Sequence, residues 1–304
     1  MATVSDIIKN AFYILLFLQI APVLIKGIRN NYNDILSSKA KIGVLSIEGT
    51  LNSASPILKD VKKLFENPSI KGILLKVNSP GGIAGTAQTI FKEILYFKKE
   101  NPDKYVICFV ENIAASGGFY VACAADYIIT SPSAFIGSIG AYIQHPLFKD
   151  FIEKHNIHYN VVKAGSYKTA GNPFLALTPE QTELFQSLTD NTYNQFVRDV
   201  ALRRPHLPAD TKAWADGKIF TGEQALQLHL IDALGSPSDT LKLFREKGHF
   251  EGDIEWIKPA KRPSGFRALF GQEDDEDGNS SYLETCLKTV CSFLETRYRS
   301  FISY

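Results

Sequence analysis

The 304 residues are 45% hydrophobic and 21% charged, an ordinary globular composition with enough chain for one large domain or two smaller ones. A net charge of +1 gives no electrostatic case for nucleic acid as a partner. Cys108, Cys123, Cys286 and Cys291 form neither a C-x-x-C pair nor a zinc spacing with histidine, so no disulfide scaffold, metal or cofactor is expected. Cys108 and Cys123 lie in apolar stretches and read as small core residues.

Residues 1–35 read as a membrane anchor or membrane-associated segment. Ala11–Ile25 is fifteen residues without a charge, whereas a spanning helix needs about 20. Extending the run back to Ile7 includes Lys9, whose stem is long enough to snorkel. No A-x-A cleavage site follows, which argues against a removed signal peptide. Lys9 precedes the run and Lys26 and Arg29 follow it, so the positive-inside rule gives no orientation. An amphipathic helix packed on the protein or on a partner subunit is the other reading of this segment.

Residues 41–270 carry the main domain. Ile42–Ile47, Gly72–Val77, Tyr105–Val110 and Tyr127–Thr130 are short apolar, β-branched runs bounded by turn residues, and they predict strands. Helices are expected over Ser55–Glu66, about Thr86–Lys99 and from Ala114–Gly118 to about Ala124. Strands alternating with helices predict an α/β domain with a mostly parallel sheet. Ile157–Lys163 is a further strand candidate, followed by a loop over Gly165–Pro173. Thr178–Ala201 predicts a long helix, with Thr178 as N-cap and Pro179 at the first helical position. Gly222–His229 predicts a short helix, Leu230–Gly235 closes the unit, and residues 236–270 read as peripheral. Residues 271–281, around Glu273-Asp274-Asp275-Glu276-Asp277, read as an acidic linker. In residues 282–304, Leu283, Leu287, Val290, Leu294, Tyr298 and Phe301 recur at three- and four-residue steps, which predicts an amphipathic helix.

Two glycine-rich strand-to-helix junctions draw the chemistry: Asn78-Ser79-Pro80-Gly81-Gly82 and Ala114-Ala115-Ser116-Gly117-Gly118. Glycine lets the backbone turn tightly and brings a main-chain N–H close to a ligand. A serine at the second junction opens a helix, where unpaired N–H groups favour negative charge. Gly82 and Gly117 are the best donors to an oxyanion. Both junctions also read simply as tight βα turns. A serine nucleophile needs a base. No local motif ties His145, His155, His158, His206, His229 or His249 to the junctions. Lys168, in the small-residue loop Gly165–Gly171, reads by itself as a solvated lysine. As a base it must be neutral, which requires burial or a nearby cation to bring its pKa from about 10.4 to near 7.

Together, Val77–Gly82, Ala114–Gly118 and Tyr167–Phe174 resemble the signal peptide peptidase A family, peptidase family S49, a branch of the ClpP/crotonase superfamily. Two further matches in the same order are Ile136–Gly140 and Ala215–Gly222, the latter continued by Gln224-Ala225 and Leu230-Ile231-Asp232. The resemblance implies a ClpP/crotonase-like fold built from repeated ββα units. It also implies a serine endopeptidase with a Ser–Lys dyad: Ser116 as nucleophile, Lys168 as general base, Ser138 as an orienting hydroxyl, and Gly82 and Gly117 as the oxyanion hole. It implies peptide substrates, namely signal peptides and other short or unfolded apolar chains. It implies a bacterial inner membrane with the catalytic domain on the extracytoplasmic side. A single copy of the motif set implies a homo-oligomer, since single-copy relatives complete their sites between subunits. Ile83 stands where many relatives have a third glycine, and His229 stands in place of another. Three other readings compete: a ClpP-like Ser–His site using His145, a crotonase-like acyl-CoA enzyme, and a non-catalytic membrane scaffold.

Overall fold

A computed structural model describes residues 39–248 and 253–259 of the chain. The β-branched runs form strands β1 (Ala40–Leu51), β2 (Ile70–Gly82), β3 (Tyr105–Ala115) and β4 (Tyr127–Thr130). They alternate with helices α1 (Ser55–Glu66), α2 (Ala84–Glu100) and α3 (Gly117–Ala122). Then follow β5 (Phe135–Gly137), α4 (Lys149–Lys154), α5 (Pro179–Arg203), β6 (Ile219–Thr221) and α6 (Gly222–Gln227). β7 (Ala233–Leu234), α7 (Pro237–Gly248) and β8 (Ile254–Ile257) end the described chain. The sheet runs β6-β5-β3-β2-β1-β8, with β4 paired to β3 and β7 to β4. Every pairing is parallel except that of β5 with β6, so the fold is α/β around a mostly parallel sheet.

Side chains of a strand alternate between the two sheet faces, and here each face has its own core. Leu45 and Ile47 of β1, Ile73, Leu75 and Val77 of β2, and Val106, Cys108 and Val110 of β3 join one apolar cluster with α1, α2 and α3. The alternate positions Ile42, Ile107, Phe109 and Ile129 pack with Phe244 of α7 on the other face. Cys108 and Cys123 are buried and free, and burial pushes the Cys123 thiol up to about 12 and Cys108 well above its usual range. They are core residues, as their apolar surroundings in the sequence predict.

Several boundaries differ from the sequence expectation. β2 and β3 run on past Val77 and Val110, through the glycine and alanine residues, so each strand ends at its junction. Ile157–Lys163 forms no strand; all seven of its residues are exposed, and no sheet edge meets them. The described part of residues 236–270 is less peripheral than expected: α7 buries Phe244, and β8 extends the sheet alongside β1. His229 adopts φ 58, a left-handed backbone conformation that accounts for a glycine in relatives. The Ala11–Ile25 run, the acidic linker and the C-terminal amphipathic helix lie outside the described residues. Among the described residues no helix is long and apolar enough to cross a membrane.

The closing segment is tied back by one ion pair. Arg204, at the C-terminal end of α5, holds Asp232 through Nη1–Oδ2 at 2.8 Å and Nη2–Oδ1 at 3.0 Å, and its Nε donates to the His229 carbonyl. Asp232 also accepts from the Ile128 N–H at 2.7 Å, which fastens the segment to β4. Removing one member of a largely buried pair leaves the other uncompensated. Arg204→Met is therefore expected to lower stability by roughly 3 kcal/mol. The measurement is the urea midpoint at unchanged slope; an unchanged midpoint would show the pair to be dispensable.

Candidate active site

Three strand ends meet at one edge of the sheet. The register pairs Ser79 of β2 with Ala114 of β3. On the other side of β3, Ala114 pairs with Ile136 and Ala115 with Gly137 of β5. The next residues along β3 and β5 are Ser116 and Ser138, and the Ser116 N–H donates to the Gly137 carbonyl at 2.8 Å. β3 reaches this point because it changes partner along its length, pairing β4 over Ile107–Val110 and β5 over Ile113–Ala115. Two of the expected site residues, Ser116 and Ser138, are thus neighbours. Both are partly exposed, and both hold left-handed backbone conformations, at φ 50 and φ 52. Such conformations are strained for a residue with a Cβ.

The two glycine junctions are pressed together on the opposite side of Ser116. A Cβ added at Gly81 would fall 2.7 Å from the Gly117 nitrogen and 2.8 Å from the Ser116 Cβ. A Cβ at Gly118 would fall 2.5 Å from the Ser79 carbonyl oxygen. Neither position has room for a side chain. Ser79 is fully buried; its hydroxyl donates to the Gly49 carbonyl at 2.6 Å and accepts from the Gly81 N–H at 3.1 Å. The Gly81 N–H is therefore occupied. The Ile83 N–H donates to the Leu51 carbonyl of β1 at 2.9 Å. Ladder bonds to one neighbour alternate along a parallel strand, so the Gly82 N–H is turned away from β1. The Gly82 nitrogen lies 3.4 Å from where a Gly117 Cβ would sit. Gly117 opens α3 and its N–H has no intrahelical partner. Gly82 and Gly117 therefore offer adjacent N–H groups beside Ser116.

α3 is held from behind. Tyr120 stacks on Phe196 of α5 with ring centroids 4.3 Å apart, and its hydroxyl donates to the buried Asp199 carboxylate at 2.6 Å. Lys92 pairs with the same carboxylate at 3.0 Å. Burial first, and then the bond to Asp199, push the Tyr120 phenol far above its usual pKa, so it stays a neutral donor. The carbonyls of the turn that follows α3 meet cations: Lys98 Nζ donates to Ala124 O at 2.9 Å, and Arg203 to Cys123 O at 3.1 Å and Ala125 O at 2.9 Å. The sequence reading missed Ser79, Tyr120 and Asp199. Only Ser79 carried a signal, as the one hydroxyl inside the first glycine junction.

Lys168 stands apart from this cluster. It lies in an exposed turn where its own N–H donates to the Gly165 carbonyl at 3.2 Å. Its ammonium has no hydrogen-bond or ion-pair partner among the described residues, and no bond joins it to Ser116 or Ser138. His145 is likewise not joined to Ser116; its ring lies 6.0 Å from that of Phe185. Among the described residues no group of three or more His, Cys, Asp or Glu side chains is placed to hold a metal ion.

The model of peptidase family S49 matches residues 98–249, a stretch that contains Ser116, Ser138 and Lys168. A candidate protease of Methanocaldococcus jannaschii is 37% identical over 187 residues, covering 61% of this chain and 58% of that one. A candidate protease of Synechocystis is 33% identical over 205 residues, covering 67% of this chain and 73% of that one. A candidate signal peptide peptidase SppA of Enterococcus faecium is 32% identical over 190 residues, covering 62% of this chain and 55% of that one. The chain thus spans between about half and three quarters of the length of these relatives.

The strain at Ser116 is measurable. Glycine tolerates φ 50 whereas alanine does not, so Ser116→Gly is expected to be more stable than Ser116→Ala by about 1 kcal/mol. Chemical denaturation of the two variants checks this, and equal midpoints would show that the backbone there carries no cost.

Proposed function

We propose that this chain, which belongs to peptidase family S49, is a serine endopeptidase with Ser116 as nucleophile and Lys168 as general base. The observation that carries the reading is the setting of Ser116. It sits at a strand end in a strained conformation, between the Gly82 and Gly117 N–H groups on one side and Ser138 on the other.

The chemistry runs as acyl transfer. Neutral Lys168 takes the Ser116 proton as Oγ attacks the scissile carbonyl carbon. The oxygen of the tetrahedral intermediate receives the N–H groups of Gly82 and Gly117. The C–N bond breaks, and the leaving amine takes the proton back from the Lys168 ammonium. Water then attacks the acyl ester, giving a proton to Lys168; the C–Oγ bond breaks, the Lys168 ammonium returns that proton to Ser116 Oγ, and the acid product leaves. Ser138, hydrogen-bonded to the amine, fixes the direction of a long and flexible side chain. The fold in this reading is of the ClpP/crotonase type, in which paired main-chain N–H groups recur at strand-to-helix turns.

The same reading makes the protein a homo-oligomer. Tyr193, midway along α5, donates to the Ala215 carbonyl, in the segment whose Gly217 N–H bonds Ile139 next to Ser138. The Lys168 loop is held by Gln181, twelve residues earlier on the same helix and so about 18 Å along its axis. A subunit's own base loop thus lies toward the far end of α5 from its own serine. In the α4 segment, whose Phe148 N–H bonds the Pro173 carbonyl after that loop, and in the stretch just before the loop, Leu147, Phe151 and Val162 are exposed apolar side chains, suited to cover by a second copy that presents Lys168 to a neighbouring Ser116. Water excluded there disfavours the charged amine, which is what a lysine base requires. The proposed substrates are signal peptides and other short, extended apolar chains. The proposed setting is the extracytoplasmic side of a bacterial inner membrane, with residues 1–35 as anchor.

The test is kcat/KM against pH for cleavage of an internally quenched apolar peptide. Ser116→Ala and Lys168→Ala are each expected to lose at least about 10³-fold. The base works only unprotonated, so wild-type activity is expected to fall as pH drops, and a fall centred near about 6.5 would point to histidine instead. Full activity in Lys168→Ala together with loss in His145→Ala would assign the base to histidine.

A further inference from the structure

We infer that Gln181 is a positioning residue for the Lys168 loop, holding it to the first turn of α5 through its side-chain amide. This rests on Lys168 being the base. Gln181 is only 4% exposed, an unusual burial for an amide side chain in a surface helix. Its Oε1 accepts from the Thr178 N–H at 3.2 Å, and its own N–H donates to Thr178 Oγ1 at 3.3 Å, a capping box. A capping box uses only the acceptor end of the residue at this position, and glutamate serves it equally well. The donor end of the amide has a separate use here: Nε2 donates to the Ser166 carbonyl at 3.1 Å.

Ser166 is two residues before Lys168. The same carbonyl accepts from Lys163 Nζ at 3.0 Å, and Lys163 also reaches Thr169 Oγ1 at 3.1 Å. Lys163 is solvent-exposed, and exposed bonds of this kind contribute little. The buried amide of Gln181 is the stronger tie, because a donor lost there leaves a buried group unpaired. Through Gln181 the loop is referred to α5, and through Phe196 and Asp199 the same helix is referred to Tyr120 on α3, one turn from Ser116. One continuous helix therefore sets where a subunit holds its base loop relative to its own nucleophile helix. The neighbour that receives the base inherits that spacing.

The test compares three variants of the full chain on the internally quenched peptide. Gln181→Met removes the donor to Ser166 and the acceptor of the capping box. Thr178→Val removes the other half of the box and leaves the Ser166 contact in place. A loop held loosely costs turnover rather than substrate binding, so Gln181→Met is expected to lose roughly tenfold or more in kcat at unchanged KM. Thr178→Val is expected to stay within about twofold of wild type in kcat while melting at a similarly lowered temperature. Lys168→Ala is expected to be inactive. Should Gln181→Met fail to fold, Gln181→Glu keeps the acceptor for Thr178 and carries the same expectation for kcat. Equal kcat in Gln181→Met and Thr178→Val, beside an inactive Lys168→Ala, overturns the role of Gln181 alone. An active Lys168→Ala overturns the base assignment, and the role of Gln181 with it.

Discussion

The close approach of two glycine-rich turns is the constraint on which the site depends. The ends of β2 and β3 lie so near each other that a single methyl at Gly81 would collide with both the Ser116 side chain and the Gly117 nitrogen. On the neighbouring turn, a methyl at Gly118 would collide with the Ser79 carbonyl. Ser79 locks the arrangement by bonding across to Gly49 and back to the Gly81 N–H. With Gly81 occupied and Ile83 bonded to β1, the Gly82 nitrogen between them lies close to Gly117. The N–H of Ile83 is spent on the Leu51 carbonyl, and its side chain is exposed.

The rest of the molecule holds that pair of turns still. Two cores, one on each sheet face, fix the strands up to the point where they end. Register irregularities follow, between Glu48 and Thr50 in β1 and between Val77 and Ser79 in β2. They let the strand ends depart from regular pleating just where the turns must meet. Behind α3, the Tyr120–Phe196 stack and the Tyr120–Asp199 bond join the helix that follows Ser116 to α5. The Arg204–Asp232 pair then joins the end of α5 to β4. Strain at Ser116 and Ser138 is sustained because the surrounding packing leaves them no other backbone path.

Much of this was legible in the residues, for local reasons. Apolar, β-branched runs bounded by turn residues located β1 to β4, and Ser55–Glu66 and the Thr178-Pro179 start of α5 stand at their expected positions. Ser116 was legible because a strand, a small-residue turn and a helix fall in immediate succession. Features set by distant partners were not. β5 and β6 are three residues each and exist only because they pair with neighbours. Ile157–Lys163 has strand composition but no edge to join, and β8 is peripheral in sequence yet central to the edge beside β1. Ser79 looked like a turn residue, and only the fold shows its hydroxyl bridging two segments thirty residues apart. Lys168 is exposed in a loop with nothing local to mark it, and its proposed role rests on the family motif alone.

The most direct measurement is the site and rate of fluorophosphonate labelling, followed by peptide mass mapping. The reagent traps a serine only where a base activates it in place. The Ser116–Lys168 account predicts a single adduct on Ser116 in the wild-type protein and labelling slowed by about 10³-fold or more in Lys168→Ala. An adduct on another residue, or undiminished labelling of Ser116 in Lys168→Ala, would contradict it.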